Sequence, residues 1–293
     1  MPFRPRILVV DGYAKSAREE LVSGGASVAA DQYIRMLSVI DPNVICDPLF
    51  PSDRDAALPS GAALTDYDGI AWTGCSRTVY DGSPEVADQI EFARAAFRAG
   101  VPGFGSCWAA QIAVVAAGGA CQANPNGREM GIARKISLTP EGRGHPLYEG
   151  KADVFDAFIS HVDEITHLPP GTTALSGNAF TPVQAVSVYW EGGTFWGLQY
   201  HPEYNLREMA RLTWCRIPVL TELGFFQDRE AGETYVRLLE TLHQDQARRD
   251  IAWMLGVDDD IMKPGIRQIE VRNWLDRLVI PNMLVRGRSG IDG

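Results

Sequence analysis

The sequence predicts an α/β protein with an open, mostly parallel twisted sheet, helices on both faces and a helical carboxyl-terminal extension. Three observations indicate this class. Short apolar runs alternate with helical patterns in the amino-terminal part, short turn-bounded strands fill the middle, and helical patterns end the chain. Strands that alternate with helices form βαβ units, which place helices on both faces of a parallel sheet.

The amino-terminal part contains the predicted parallel strands and their helices. The strands are expected at 6–10, 43–50, 67–74 and 101–105, and the helices at 28–40, 84–100 and 107–119. Ser83 is a typical helix cap before Pro84, a residue suited to the first helical position. The pair Gly118-Gly119 is typical of a helix end.

The middle of the chain changes character, and the end is helical. Short strands of mixed or antiparallel sheet are expected at 131–138, 151–161, 173–179, 181–193 and 194–201. Helices are expected at 206–224, 229–256 and 266–280. We therefore predict a domain of residues 1–210 and a helical extension of residues 211–293 that packs on it, covers its cleft or forms a dimer contact. Residues 286–293 are predicted to be disordered.

Composition narrows the classes of function. The 293 residues include 37 acidic and 27 basic side chains, a net charge of −10, which disfavours nucleic acid and anionic membranes as partners. No apolar stretch is long enough to span a membrane, and the first apolar run is too short for a signal peptide. Five cysteines without a CxxC pair argue against structural zinc or a disulfide framework. We expect a cytoplasmic protein that needs no metal or organic cofactor.

The stretch "GFGSCWAAQ" places Cys107 between a predicted strand and a predicted helix. A nucleophile on such a sharp turn needs small neighbours, which Gly105 and Ala109 provide. A helix amino terminus also lowers a thiol's pKa and offers N–H donors to an anion. The motif alone is weak, because a glycine-flanked cysteine is often a packing residue.

The stretch "GLQYHPE" contains the histidine that stands out among five. In a strand, His201 and Glu203 point to the same side, so the carboxylate can orient the imidazole. The pair is compatible with a base and its orienting group, and equally with a surface ion pair at a strand end.

Four motifs, "GVPGFGSCWAAQ", "REMG", "SHVDEI" and "GLQYHPE", follow in the order and spacing of the class I glutamine amidotransferases. Residues 5–210 resemble the glutaminase domain of GMP synthase and its stand-alone relatives. The resemblance implies their flavodoxin-like fold, with Cys107 as the nucleophile, His201 as the general base and acid, and Glu203 as the orienting carboxylate.

The resemblance also assigns groups around the nucleophile. It implies backbone N–H groups of Gly74 and Trp108 as the oxyanion hole. Gln111 would contact the substrate amide region, and the backbone at Ser160 and His161 would receive the α-amino and α-carboxyl groups. The role of Glu129 in "REMG" is expected to be mainly structural.

Two residues depart from the family pattern. Ala109 stands where glycine is usual after the nucleophile, and Val162 stands where glycine often follows the Ser-His pair. We expect both to add a side chain near the substrate, which leaves the chemistry intact but puts a strict preference for glutamine in doubt. Cys75, beside the oxyanion loop, is expected to be a packing residue.

Three functions remain open. The favoured one is hydrolysis of glutamine or a γ-glutamyl amide through a γ-glutamyl thioester on Cys107. The alternative is a glutaminase subunit that delivers ammonia to a separate synthase, since no P-loop is present. A non-enzymatic scaffold is disfavoured by the complete triad. A loose helix-turn-helix likeness near the end carries Asp258, Asp259 and Asp260 where phosphates would lie, which argues against DNA binding.

Overall fold

The computed structural model describes residues 4–59 and 61–287. Its strands are β1 (Arg6–Val10), β2 (Ile45–Leu49), β3 (Gly69–Trp72), β4 (Gly103–Ser106), β5 (Ala120–Ala123), β6 (Glu129–Leu138), β7 (Val154–His161), β8 (Asp163–His167), β9 (Thr172–Gly177), β10 (Ala185–Trp190) and β11 (Gly193–Leu198).

Its α-helices are α1 (Lys15–Ser23), α2 (Ala29–Ile40), α3 (Pro84–Arg98), α4 (Trp108–Ala116), α5 (Pro140–Arg143), α6 (Leu206–Glu222), α7 (Arg229–Gln244), α8 (Arg249–Leu255), α9 (Asp259–Met262), α10 (Pro264–Arg267), α11 (Ile269–Trp274) and α12 (Ile280–Val285). Short 3₁₀ turns occupy Leu64–Asp66 and Pro146–Tyr148, and a π-helical turn, Leu275–Val279, joins α11 to α12. None of the described helices is both long and apolar enough to cross a membrane.

Nine strands form one sheet in the order β2-β1-β3-β4-β11-β10-β9-β6-β7. The strands from β2 to β11 pair in parallel, and those from β11 to β7 pair antiparallel. The alternating amino-terminal part therefore forms the parallel half, and the turn-bounded middle strands form the antiparallel half. A separate two-stranded ladder pairs β5 with β8, which the sequence analysis did not predict.

Strand β1 is buried on both faces, as expected of a central parallel strand. Ile7 and Val9 pack on one face with α2, and Leu8 and Val10 pack on the other with α3 and α4. This alternation follows from the two-residue repeat of a strand. The sheet thus carries helices on both faces, and its carboxyl-terminal edge is left open for the loops that follow the parallel strands.

The helical end of the chain completes one of these faces. Trp274 of α11 is fully buried, and its ring centroid lies 5.6 Å from that of Phe104 in β4. A Cβ on Gly69 would lie 2.8 Å from Trp274 Cζ2, so the glycine makes room for the indole. The division predicted at residue 210 falls inside α6, and it stays a prediction.

A second contact joins this end to the strand that leads to the site. Glu270 of α11 is fully buried and pairs with Lys151 Nζ at 3.0 Å. Its Oε1 also accepts from the Tyr200 hydroxyl at 2.7 Å. Because Tyr200 immediately precedes His201, α11 supports the segment that carries the candidate base.

Two expected features of the helices differ from the structure. The helix expected at 229–256 is broken between α7 and α8, because Asp245 Oδ1 accepts from the Ala247 N–H at 3.0 Å and offers the backbone an alternative to the helix. Ser83 occupies the cap of α3 without a side-chain capping bond, and its Oγ accepts from Arg77 instead.

The first residue of the tail predicted to be disordered is ordered in the structure. Arg286 Nη1 donates to the Tyr67 carbonyl at 3.0 Å, so the chain is held on the core at that point. Residues 288–293 of the predicted disordered tail lie outside the described residues. In the region that loosely resembles a helix-turn-helix, Asp260 accepts from the Asp156 N–H at 3.0 Å, which fixes α9 against β7.

Candidate active site

Cys107 lies on a sharp turn between β4 and α4. Its φ is 55° and its ψ is −106°, a conformation that non-glycine residues rarely adopt. The Cys107 N–H donates to the Leu198 carbonyl at 2.6 Å, which fixes the turn to β11. Strain of this kind at a strand-to-helix turn presents a nucleophile above the sheet edge.

The glycine before this turn is sterically required. A Cβ on Gly105 would lie 2.4 Å from both Ala109 Cβ and the Trp72 carbonyl oxygen. The same contact places the Ala109 methyl against Gly105, where it is fully buried. Our expectation that Ala109 adds a side chain near the substrate is therefore wrong. The same expectation for Val162 stays a prediction, since this side chain is 36% exposed.

His201 and Glu203 form a buried hydrogen-bonded pair. His201 Nδ1 donates to Glu203 Oε1 at 2.7 Å, which leaves Nε2 free to exchange protons. The two residues lie in a turn after β11, so their side chains meet across a turn and not along a strand as expected. Nε2 is buried and forms no hydrogen bond to any described residue.

The thiol and the imidazole converge beside Gly74. A Cβ on Gly74 would lie 3.1 Å from His201 Cε1 and 3.7 Å from Cys107 Cβ. Burial alone would lower the pKa of His201, but the Glu203 carboxylate and the neighbouring Cys107 raise it to about 9. The ring is therefore protonated at neutral pH and can donate a proton from Nε2.

Two residues that sequence reasoning missed hold the carboxylate. The Tyr33 hydroxyl donates to Ser106 Oγ at 2.7 Å, and Ser106 Oγ donates to Glu203 Oε1 at 2.8 Å. The Tyr204 ring also stacks on the His201 ring, with centroids 4.1 Å apart. These contacts fix the pair as buried neighbours fix a catalytic group. Ser106 directly precedes Cys107, but nothing in the sequence links it to Glu203.

The two N–H groups expected to hold an oxyanion are available. Within residues 4–59 and 61–287, neither Gly74 N nor Trp108 N donates to a backbone or side-chain acceptor. The Trp108 indole is fixed elsewhere, because its Nε1 donates to Gln89 Oε1 at 3.0 Å. The loop at Gly74 is held by Thr73, whose hydroxyl donates to the Gly74 carbonyl at 2.9 Å.

The residues expected to contact the substrate also lie around Cys107. The thiol donates to the Ser160 carbonyl at 3.7 Å. Gln111 Nε2 donates to the Asp163 carbonyl at 3.2 Å and to Gln199 Oε1 at 3.1 Å, so this amide is fixed within the protein.

Both ring nitrogens of His161 form hydrogen bonds within the protein. It is buried, with Nδ1 2.8 Å from the Asp163 carbonyl oxygen and Nε2 3.0 Å from Glu129 Oε2. Glu129 also accepts from Asn178, Thr181 and Gln184. Burial would raise the pKa of Glu129, but the bonds from His161 and Asn178 lower it. This cluster holds β6, β7 and the loop before β10 together, which is a structural role.

The other thiols have a different environment. Burial raises the pKa of Cys46, Cys75 and Cys121 to about 12 in each case, so all three stay protonated at neutral pH. A protonated thiol is a poor nucleophile, which supports the interpretation of Cys75 as a packing residue. Among the described residues, no three His, Cys, Asp or Glu side chains cluster as metal ligands do.

The chain matches the family described as glutamine amidotransferase class-I over residues 49–213. It is 34% identical over 292 residues to a γ-glutamyl-L-1-hydroxyisopropylamide hydrolase from a Pseudomonas species, and the match covers 94% of each chain. Glutamine-hydrolysing GMP synthases from Nitrosomonas eutropha and Thiobacillus denitrificans are 30% and 31% identical, over 59% of this chain and 32% of each synthase.

Two solved structures share the architecture. A glutamine amidotransferase from Thermotoga maritima superposes with a TM-score of 0.64 at 17% identity, covering 95% of this chain and 99% of the other. One from Methylobacillus flagellatus superposes with a TM-score of 0.59 at 19% identity, covering 100% and 98% of the two chains. At these identities the likeness shows the fold alone, and it confirms the predicted α/β class.

Proposed function

Because the chain belongs to the class I glutamine amidotransferase family, we propose that it hydrolyses the side-chain amide of a γ-glutamyl compound through a thioester on Cys107. The observation that carries this function is the strained Cys107 turn beside the buried His201–Glu203 pair. A thiol, a base and an orienting carboxylate are the parts that covalent acyl transfer needs.

In the first step the Cys107 thiolate attacks the amide carbonyl carbon and a C–S bond forms. The carbonyl oxygen gains negative charge, which the N–H groups of Gly74 and Trp108 stabilise, each by about 3–4 kcal/mol in comparable sites. The C–N bond then breaks, and the departing amine takes a proton from His201 Nε2. Glu203 orients the ring throughout and stabilises it whenever it is protonated.

In the second step water replaces the amine. Neutral His201 takes a proton from the water as it attacks the thioester carbonyl, and the C–S bond breaks. Cys107 leaves as a thiolate beside the protonated ring, so the site returns to its starting charge. The products are glutamate and an amine.

The extent of the similarity favours a modified amide as substrate. The γ-glutamyl-L-1-hydroxyisopropylamide hydrolase matches almost the whole chain, including the helices after residue 213 where the family match ends. The GMP synthases match only 59% of it. A secondary amide with a small amine is therefore the favoured substrate. Val162, which stands where the family often has glycine, is exposed and adds to the support for a substrate other than glutamine.

The alternative is a glutaminase subunit that delivers ammonia to a separate synthase. The similarity to the glutaminase part of GMP synthases supports it. A subunit of this kind is typically inactive without its partner, whereas an independent hydrolase is active alone.

The cytoplasmic location expected from the cysteines stays a prediction.

The test is amine release by the purified chain. The panel contains glutamine, γ-glutamyl-L-1-hydroxyisopropylamide and other small γ-glutamyl amides, with Cys107→Ala as the control. We expect release from a secondary amide that the control variant abolishes while its thermal unfolding stays cooperative. Equal release by Cys107→Ala would exclude the mechanism. A folded but silent wild-type chain would favour the subunit.

A further inference from the structure

A pair of arginines near Cys107 belongs to none of the predicted site residues. Arg216 of α6 donates from Nη1 to Ser160 Oγ, and the carbonyl of the same Ser160 accepts from the Cys107 thiol at 3.7 Å. One residue therefore contacts the arginine with its side chain and the nucleophile with its backbone. Arg216 lies beyond residues 49–213, so the family match does not reach it.

The second arginine, Arg128, lies two residues before Met130, which pairs with Ser160 between β6 and β7. Its Nε is buried and donates to no described residue. Burial lowers the pKa of Arg128, and the charge of Arg216 lowers it further, whereas Cys107 and Asp163 raise it. Arg128 therefore interacts electrostatically with both Arg216 and Cys107.

Neither arginine pairs closely with a carboxylate of the described residues. Among the described residues, neither Arg128 nor Arg216 forms an ion pair with an acidic side chain. The Asp163 carboxylate raises the pKa of Arg128 but forms no ion pair with it. Asp163 accepts a hydrogen bond from the Tyr80 hydroxyl at 2.8 Å. Two cations that disfavour each other's charge and lack an ion-paired carboxylate are stabilised when an anion binds to them.

We propose that Arg216, together with Arg128, binds the α-carboxylate of the γ-glutamyl group, and so restricts the enzyme to amides of that acid. The inference rests on the proposed function. A γ-glutamyl amide carries its carboxylate at the far end of a short carbon chain from the carbon that Cys107 attacks. A guanidinium fork matches a carboxylate in two hydrogen bonds, which gives both affinity and orientation.

The position of Arg216 links binding of the substrate carboxylate to attack by Cys107. The charge of Arg216 lowers the pKa of Tyr13 and of Tyr204, and Cys107 raises the pKa of both. A carboxylate held at Arg216 therefore lies beside the residues that surround the thiol and the His201 ring. Correct placement of the acyl chain then aligns the carbonyl carbon with Cys107 Sγ.

The experiment compares two substrates that differ only at the α-carbon. One is the best γ-glutamyl amide of the panel, and the other is the same amide with hydrogen in place of the α-carboxylate. Wild type, Arg216→Met, Arg216→Lys and a matched control, Arg207→Met, are measured. Arg207 lies on the same helix, is exposed and contacts Glu208 and the Gly25 carbonyl.

We expect Arg216→Met to lower kcat/KM for the carboxylated amide by about 10- to 100-fold and to leave the other amide unchanged. Arg216→Lys should recover part of the loss, and Arg207→Met should behave as wild type. A wild-type preference for the carboxylated amide that Arg216→Met retains would overturn the proposal. So would an equal fall with both substrates, because Arg216 would then be only a structural residue.

A binding measurement tests the proposal without turnover. Cys107 is alkylated with iodoacetamide in the presence of L-glutamate, or of 4-aminobutyrate, which lacks the α-carboxylate. Wild type should be protected by L-glutamate at roughly tenfold or more lower concentration, and Arg216→Met should lose this difference. If no amide is hydrolysed but protection depends on Arg216, the carboxylate site stands and the hydrolase function fails. If protection is the same in Arg216→Met, the carboxylate site fails.

Discussion

The His201 ring is the residue whose environment controls the proposed chemistry. It lies between the Glu203 carboxylate, bonded at 2.7 Å, and the Cys107 thiol, with Tyr204 stacked on one face. Burial opposes a charge on the ring, yet the pKa of His201 is raised to about 9 because both neighbours favour the protonated form. A protonated imidazole beside the sulfur can supply the proton that the departing amine needs.

This pKa predicts how stability depends on pH. The folded state holds the His201 proton more tightly than the unfolded chain, where the pKa is near 6.5. The stabilisation is therefore fully present below that value and is lost as pH rises through about 9. The loss is on the order of 3 kcal/mol. The free energy of unfolding, measured by denaturant titration from about pH 6 to about pH 10, should converge between wild type and His201→Gln. A constant difference across that range would contradict the raised pKa.

Single residues also show what sequence alone can and cannot predict. The four motifs pointed to Cys107, His201 and Glu203, and the structure places them together, although their catalytic roles stay predictions. Tyr33 and Arg216 were missed. Each contacts a residue distant in sequence, and neither belongs to a local pattern with a known chemical meaning.

At the scale of elements, the turn from β4 to α4 is the part whose shape matters most. Alanine at Gly105 would place a Cβ 2.4 Å from Ala109 Cβ and from the Trp72 carbonyl oxygen. Gly265 is the matched control, because a Cβ there would meet nothing within 4 Å. We expect Gly105→Ala to lower the free energy of unfolding by about 1–3 kcal/mol and to reduce turnover. Gly265→Ala should leave both unchanged.

Thermal unfolding and amine release would check this pair of variants. Equal behaviour of Gly105→Ala and Gly265→Ala would show that the turn tolerates a side chain, and that the close approach of β3 and α4 is not required for the site.

The elements themselves were predictable where their patterns are strong. The parallel strands, α3 and α4 were predicted because apolar runs and helix-end residues mark them. The β5–β8 ladder was missed because each strand is short and its register shifts at a bulge. The break between α7 and α8 was missed because Asp245 has no neighbouring proline or glycine, so only its own side-chain bond to Ala247 ends the helix.

For the whole molecule, helix α11 forms part of the same core as the sheet. Trp274 packs on Phe104, and Glu270 supports the strand that leads to His201. The γ-glutamyl-L-1-hydroxyisopropylamide hydrolase matches this region as well. From the sequence, packing on the domain was one of three expected arrangements, because Trp253 and Trp274 both lie in helical stretches with no signal that separates a buried tryptophan from an exposed one.

These two tryptophans provide a test of the shared core. Trp274 is fully buried and Trp253 is 85% exposed. We expect Trp274→Ala to lower the free energy of unfolding by about 3–5 kcal/mol and Trp253→Ala to change it by less than about 0.5 kcal/mol. Denaturant titration of both variants decides the matter. A small effect of Trp274→Ala would mean that the sheet does not depend on α11.

The most direct test of the central claim is detection of the thioester itself. A γ-glutamyl amide that the chain hydrolyses is mixed with the enzyme, the reaction is quenched in acid during turnover, and the peptides are mapped by mass spectrometry. The proposed mechanism predicts a γ-glutamyl group on Cys107, and no adduct on that peptide in Cys107→Ser. An acyl group on another residue, or undiminished turnover by Cys107→Ser, would contradict it.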